Sequence, residues 1–223
     1  MSLSTVPFPL YHGTSSHYLD AFQVGQGVEA WPFKAPAFEL LQETWRLLSA
    51  LGTEPDWMIR NVLSQTSERS NWQHGELYLT ANLRRAAMYA NSGADYGGEF
   101  LRMCKEGLAE LERLNMPKAA ALQKQFRRLE HLLSGGGKPI VVQFVGVRVA
   151  DLTNEIGGGP ADDAVQRLLA REGELREVLS QVTNFRLRLG SSPVHRRWRI
   201  QFEDPNDSEH SPFAKIEEGL HSQ

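Results

Sequence analysis

Four short pieces of the chain carry residue types suited to chemistry. The first is YHGTS at 11–15, where Gly13 lets a ligand approach the backbone closely and the neighbouring His12 ring can donate a hydrogen bond to a hydroxyl. The second is a pair, Tyr78 in GELYLT and Tyr89 eleven residues later in LRRAAMYANSG, with Ala86, Ala87 and Ala90 leaving room beside the second ring. If that helix folds back over the strand, two aromatic faces can clamp a flat, cationic ring, each contact contributing on the order of 0.5–2 kcal/mol. The third is the glycine-rich entry to a strand at 135–142. The fourth is Glu177, which opens EVLSQVTNFRLRL and so puts a carboxylate at the mouth of an apolar strand, with Glu172 and Glu174 close by. A fixed carboxylate there can stabilise the oxocarbenium-like carbon that forms when a bond to a sugar breaks, or hold the incoming nucleophile.

Those residues need elements that position them. FPLYHGT reads as a strand; Thr14 or Ser15 can cap a helix over SSHYLDAFQVG that buries Tyr18, Leu19 and Phe22 and stops near Gly25. GELYLT repeats that grammar, with Thr80 or Asn82 as cap of the helix LRRAAMYANSG, which ends around Gly93. Between the two units, Phe38, Leu41, Trp45 and Leu48 recur at helical spacing, and Asp56 caps a shorter helix in DWMIRNVLSQ. Leu101, Cys104, Leu108 and Leu111 predict another helix, and Leu122, Phe126, Leu129 and Leu133 one more after Pro117. PIVVQFVGVRVADL is a continuous β-branched run that predicts a buried strand, DDAVQRLLAREG a helix, and REVLSQVTNFRLRLGSSPVHRRWRIQFE two or three strands. The last stretch, from 204 to 223, reads as a polar, flexible tail.

Composition bounds the reading. At 223 residues with 41% hydrophobic residues the chain can bury a sizeable core, and a net charge of -3 argues against broad electrostatic capture of nucleic acid or anionic membrane. The single cysteine, Cys104, excludes an internal disulfide and a cysteine zinc cluster. The seven histidines form no paired ligand set on a helical face, so no metal is expected; neither GGG at 135–137, where Lys138 is followed by Pro139, nor GGG at 157–159 has the lysine followed by a hydroxyl residue of a phosphate-cradling loop. No stretch approaches the roughly 20 apolar residues of a membrane span, and the start lacks a cleaved-signal pattern. The expectation is a soluble protein, cytoplasmic or delivered into a target cell without a cleaved signal peptide.

Taken together, the motifs resemble a known family. YHGTSSHYLDAFQVG looks like the opening motif of the diphtheria-toxin-like ADP-ribosyltransferases, and GELYLTANLRRAAMYA is similar to their second motif in the spacing of its two tyrosines and in its small flanking residues. EVLSQVTNFRLRL resembles the third motif of ADP-ribosyltransferases generally. The resemblance covers about 8–28, 75–98 and 138–202, and places the chain in the histidine–tyrosine–glutamate branch shared with the poly(ADP-ribose) polymerases. It implies an α+β fold, an ADP-ribosyltransferase-type split antiparallel β-sandwich with an NAD cleft, as a single catalytic domain over 1–203 with helical insertions at about 37–65 and 99–134. It implies NAD+ as co-substrate, His12, Gly13 and Thr14 with Tyr78 and Tyr89 around it, and Glu177 as the catalytic residue. Gly13 would hold the nicotinamide carboxamide by its backbone, and His12 would orient the adenosine-side ribose.

The implied activity is mono-ADP-ribosylation of a macromolecular acceptor, protein or nucleic acid, by a bacterial toxin or effector, with a cognate antitoxin or immunity protein as partner. Leu175 stands two residues before Glu177, where the arginine-modifying branch has Glu or Gln, which argues against arginine as acceptor. Two alternatives stand beside this: an RNA 2′-phosphotransferase, which would need paired basic residues, and a catalytically inactive NAD-fold binding module. Arg84 and Arg85 fit the first poorly, because adjacent helical residues diverge by about 100°.

Overall fold

In the computed structural model the described residues are 3–18, 34–64, 77–93, 99–155, 158–188, 195–200 and 217–218, some of them by backbone alone. In chain order the elements are β1 (Leu10–Ser15), α1 (Lys34–Ser49), α2 (Trp57–Ser64), β2 (Leu77–Thr80), α3 (Leu83–Gly93), α4 (Glu99–Arg113), α5 (Lys118–Gln125), α6 (Glu130–Leu133), β3 (Pro139–Val145), β4 (Leu152–Asn154), α7 (Asp162–Leu169), α8 (Gly173–Val182), β5 (Asn184–Leu187), β6 (His195–Ile200) and β7 (Glu217–Glu218). The fold is α+β. Every strand pairing is antiparallel, and the order across the sheet is β4-β5-β2-β1-β3-β6-β7.

The pairing is uneven. β1 runs beside β3 over six register points, from Leu10↔Phe144 to Ser15↔Pro139, but meets β2 at one, Tyr11↔Thr80. The strands thus form one connected sheet that narrows to a single bridge at its centre, rather than two separately paired sheets.

Alternation along the strands sorts side chains onto two faces. Leu10, Leu77, Leu79, Ile140, Val142, Phe144, Phe185 and Leu187 are buried on one face and join the main core with α1, α4, α5 and α7. Helical periodicity supplies the other half of that core: Leu41 and Leu48 of α1 and Leu101, Cys104, Leu108 and Leu111 of α4 are all buried, as their spacing predicts. The Cys104 thiol donates to the Ala37 carbonyl at 3.2 Å, and burial pushes its pKa up to about 12, so it is an inert packing group.

The second face carries α3. Ala86 and Ala90 of that helix pack on Val141 and Tyr11 in a smaller cluster. Contact is closest at Gly13, where an added Cβ would lie inside the van der Waals envelope of the Ala86 carbonyl oxygen and 2.7 Å from the Ala90 nitrogen. The two alanines and the glycine together let helix backbone rest on strand backbone.

Several elements differ from the sequence reading. PIVVQFVGVRVADL is not one strand: Gly146 at φ +67° turns the chain out of β3, Val149–Asp151 form a 3-10 turn, and β4 follows. The helix expected after Pro117 is broken into α5, a 3-10 turn at Arg127–Leu129 and α6, although Leu122, Phe126 and Leu129 are buried as expected. The segment from Glu177 is helical through Val182, and only Asn184–Leu187 is strand. Its Leu175, Leu179 and Val182 fall at helical spacing, and Glu, Leu, Arg and Gln around them favour a helix. After YHGTS a single 3-10 turn covers 16–18; the rest of the expected helix to Gly25 lies outside the described residues. Within the expected flexible tail, Glu217 and Glu218 pair with Ile200 and Arg199 as β7.

The Gly13 contact generates a stability prediction. Gly13→Ala forces α3 off the sheet and should destabilise the protein by about 1–3 kcal/mol or more. Urea unfolding with an unchanged midpoint would mean that α3 does not pack as described.

Candidate active site

Hydrogen-bond alternation fixes which way β1 presents its backbone. Ser16 N donates to the Lys138 carbonyl at 2.8 Å, and Pro139, opposite Ser15, has no N–H to give. Leu10, His12 and Thr14 are therefore the positions bonded to β3, and Tyr11, Gly13 and Ser15 turn their N–H and C=O groups toward β2. Tyr11 meets Thr80 there. One step on, where Gly13 would pair with Tyr78, the ladder is not made, and His12 Nδ1 instead donates to the Tyr78 carbonyl oxygen at 2.8 Å. The gap between the strands thus has the Gly13 backbone on one side and the His12–Tyr78 bond across it.

That bond defines the imidazole. Burial, only partly offset by the hydrogen bond to the Tyr78 carbonyl, lowers the pKa of His12 from 6.5 to about 4. The ring is neutral at pH 7 with its proton on Nδ1, so Nε2 is an acceptor. With Nδ1 committed to the Tyr78 carbonyl, Nε2 of the neutral ring can accept a hydrogen bond but not donate one, whereas the sequence reading expects a donor.

The tyrosines come to the same side of the sheet. Leu77 and Leu79 point into the main core, so alternation turns Tyr78 to the face that α3 covers, and α3 carries Tyr89. Tyr89 is exposed; its hydroxyl lies 2.8 Å from Arg85 Nη2, and the Arg85 guanidinium stands 5.3 Å from the ring centroid. Arg85 also reaches the Gln181 carbonyl of α8, whereas Arg84 is exposed on a different side of the helix. Thr14 is buried in β1.

Glu177 sits on a helix rather than at a strand mouth, two turns before β5. It is nevertheless tied to the end of β2. Asn82 begins α3: its Oδ1 accepts from Arg85 N at 2.9 Å, the standard N-cap contact. Its Nδ2 donates to Glu177 Oε1 at 2.8 Å and to Ser180 Oγ at 2.9 Å. Thr80 Oγ1 donates to the Ser180 carbonyl at 3.2 Å and accepts from Asn82 N at 3.2 Å. Asn82, Thr80 and Ser180 are buried, so this polar seam ties α8 to the end of β2 in a place shielded from water. Glu177 and Glu174 are both exposed; Glu174 lies in the first turn of α8, and among the described contacts only Glu177 meets Asn82.

A second carboxylate stands at the same end of the sheet. Asn184, paired with Thr80 in register, donates Nδ2 to Glu155 Oε2 at 2.6 Å, while its buried Oδ1 has no hydrogen-bond partner among the described residues. Asn82 was legible in the sequence only as one of two candidate helix caps, beside Thr80; Ser180, Asn184 and Glu155 carried no signal, because their contacts to other elements span 29–100 residues. His195, Arg196, Arg197 and Arg199 lie on β6, whose side chains are outside the described residues. The described residues hold no cluster of three or more metal-ligating side chains and no helix long and apolar enough to cross a membrane.

The histidine ties stability to pH. Its folded pKa of about 4 lies below 6.5, so between those values the unfolded chain binds the proton first. The contribution is complete above pH 6.5 and is lost as pH falls toward 4, by on the order of 3 kcal/mol at most. Urea unfolding of wild type and His12→Asn at pH 7, 5.5 and 4.5 should show a gap in stability between the two that shrinks or reverses as pH falls; a constant gap would mean that His12 is not held neutral.

Family models, curated proteins and solved structures show no match to this chain.

Proposed function

We propose that the chain is a mono-ADP-ribosyltransferase that cleaves the nicotinamide–ribose bond of NAD+ and passes ADP-ribose to a macromolecular acceptor. The observation that carries this is the unpaired β1/β2 gap at Gly13 and Tyr78 on the face that α3 covers; the carboxylate of Glu177, held by Asn82 past the end of β2, supplies the charge. Such a gap suits a carboxamide, because Gly13 turns both a backbone donor and a backbone acceptor toward it. In this reading the fold is of the ADP-ribosyltransferase type, with its two half-sheets joined by the single bridge Tyr11↔Thr80.

The chemistry follows from charge. As the C1′–N bond breaks, its electron pair leaves with neutral nicotinamide and the ribose carbon turns cationic. Tyr78 and Tyr89 hold the flat ring, which is cationic before cleavage, and neutral His12 accepts from a ribose hydroxyl without adding a positive charge to a site where one develops. The Glu177 carboxylate faces that charge and stabilises it until the acceptor's nucleophile attacks C1′ and loses its proton. A delivered toxin or effector is the setting in which such a chain acts.

The phosphotransferase alternative has less to draw on. It needs two basic groups converging on a phosphate, and Arg85 is engaged with Tyr89 and Gln181 while Arg84 diverges from it.

The test uses NAD+ labelled on the adenylate phosphate, incubated with purified protein in cell lysate. Wild type should transfer label to protein or nucleic acid, and Glu177→Gln should lower the rate by about 10²–10³-fold or more. Equal labelling by both proteins removes Glu177 from the mechanism; no labelling by either leaves transferase activity without support.

A further inference from the structure

The described residues of α8 have few apolar ties to the rest of the protein. Leu175, Val178 and Val182 are exposed, with 62%, 52% and 61% of their surface accessible, and Leu179 is the hydrophobic residue of the helix that packs on the core. What fixes the opposite side is polar: Asn82 to Glu177 and Ser180, Thr80 to the Ser180 carbonyl, and Arg85 to the Gln181 carbonyl. A helix attached in this way has its carboxylate placed by hydrogen bonds rather than by packing.

Among these groups Asn82 alone touches the Glu177 carboxylate in the described contacts, and its geometry leaves it no freedom. Oδ1 must be the atom that faces Arg85 N, because a backbone N–H needs an acceptor. Nδ2 must then be the atom that faces Glu177, and an ionised carboxylate is an acceptor only. The amide cannot flip without breaking both contacts. A backbone fixed by α3, itself seated on Gly13, therefore dictates where Glu177 Oε1 lies.

Resting on the transferase reading above, we propose that Asn82 is the positioning residue of the reaction: it fixes the Glu177 carboxylate beside the end of β2, and acts on NAD+ through Glu177 without touching it. The role separates from helix capping by chemistry. Ser and Asp both cap α3 well, but Ser is too short to reach Glu177, and Asp faces one carboxylate with another. Capping predicts that all three side chains are equivalent, whereas positioning ranks them Asn over Ser over Asp.

Steady-state NAD+ hydrolysis, read as nicotinamide release, is to be measured for wild type, Asn82→Ser and Asn82→Asp, and for Asn82→Ser combined with Glu177→Gln. The expected result is a kcat lowered about 10–100-fold in Asn82→Ser and further in Asn82→Asp, with KM for NAD+ within about twofold and Tm within a few degrees of wild type. In the Glu177→Gln background Asn82→Ser should cost nothing more, because the carboxylate charge that it positions is already gone. A kcat unchanged in Asn82→Ser, a further loss in the Glu177→Gln background equal to that in wild type, or collapse of near-ultraviolet circular dichroism in both single variants would each overturn the positioning role. An inactive wild type would instead remove the transferase reading on which the proposal rests, a failure visible before any variant is compared.

Discussion

The approach of α3 to β1 at Gly13 is the contact on which the rest of the site depends. Helix and strand backbones can lie this close only where the strand lacks a Cβ and the helix offers Ala86 and Ala90 in return. Seating the helix there fixes its N-cap, Asn82, beside the end of β2, and fixes Tyr89 two turns further along. The glycine of YHGTS thus serves packing through its missing side chain and leaves its backbone groups to face the gap toward β2. One small residue meets two demands, in directions at right angles to each other.

The gap itself arises from a competition for one carbonyl. Continued pairing would give the Tyr78 oxygen a backbone partner in β1; His12 supplies the donor instead. The buried carbonyl stays satisfied, as it must in this environment, while the ladder stops after a single bridge. The same hydrogen bond sets the tautomer, and desolvation keeps the ring neutral. Strand separation and ring orientation are two consequences of one contact, and the charge state follows from burial.

Much of this was legible locally, and the limits of legibility have a physical cause. Periodicity placed α1, α3, α4 and α7, β-branched composition placed β3, and cap chemistry placed Asp56, confirmed by Ile59 N to Asp56 Oδ1 at 2.9 Å, and left Thr80 or Asn82 for α3, where Asn82 is the cap. Reading EVLSQV as strand entry failed because an apolar run flanking a glutamate fits either period until length and helix-forming neighbours are weighed. The carboxylate still reaches the end of β2, but through Asn82, 95 residues away in sequence. No local pattern encodes that pairing: it exists only once α7 and α8 have brought the chain back to the sheet. The break of PIVVQFVGVRVADL at Gly146 was local and visible as a glycine inside an apolar run. The sheet's narrow centre was not visible, since nothing in β1 or β2 alone announces where their pairing stops.

The most direct measurement is a crystal structure of the protein with a non-hydrolysable carbocyclic NAD+ analogue. The carboxamide is expected on the Gly13 backbone, the nicotinamide ring between Tyr78 and Tyr89, and the carbon that replaces the reacting ribose centre within about 3–4 Å of the Glu177 carboxylate. An analogue bound away from the β1/β2 gap, or bound there with Glu177 turned out of reach, would contradict the placement of catalysis at this junction.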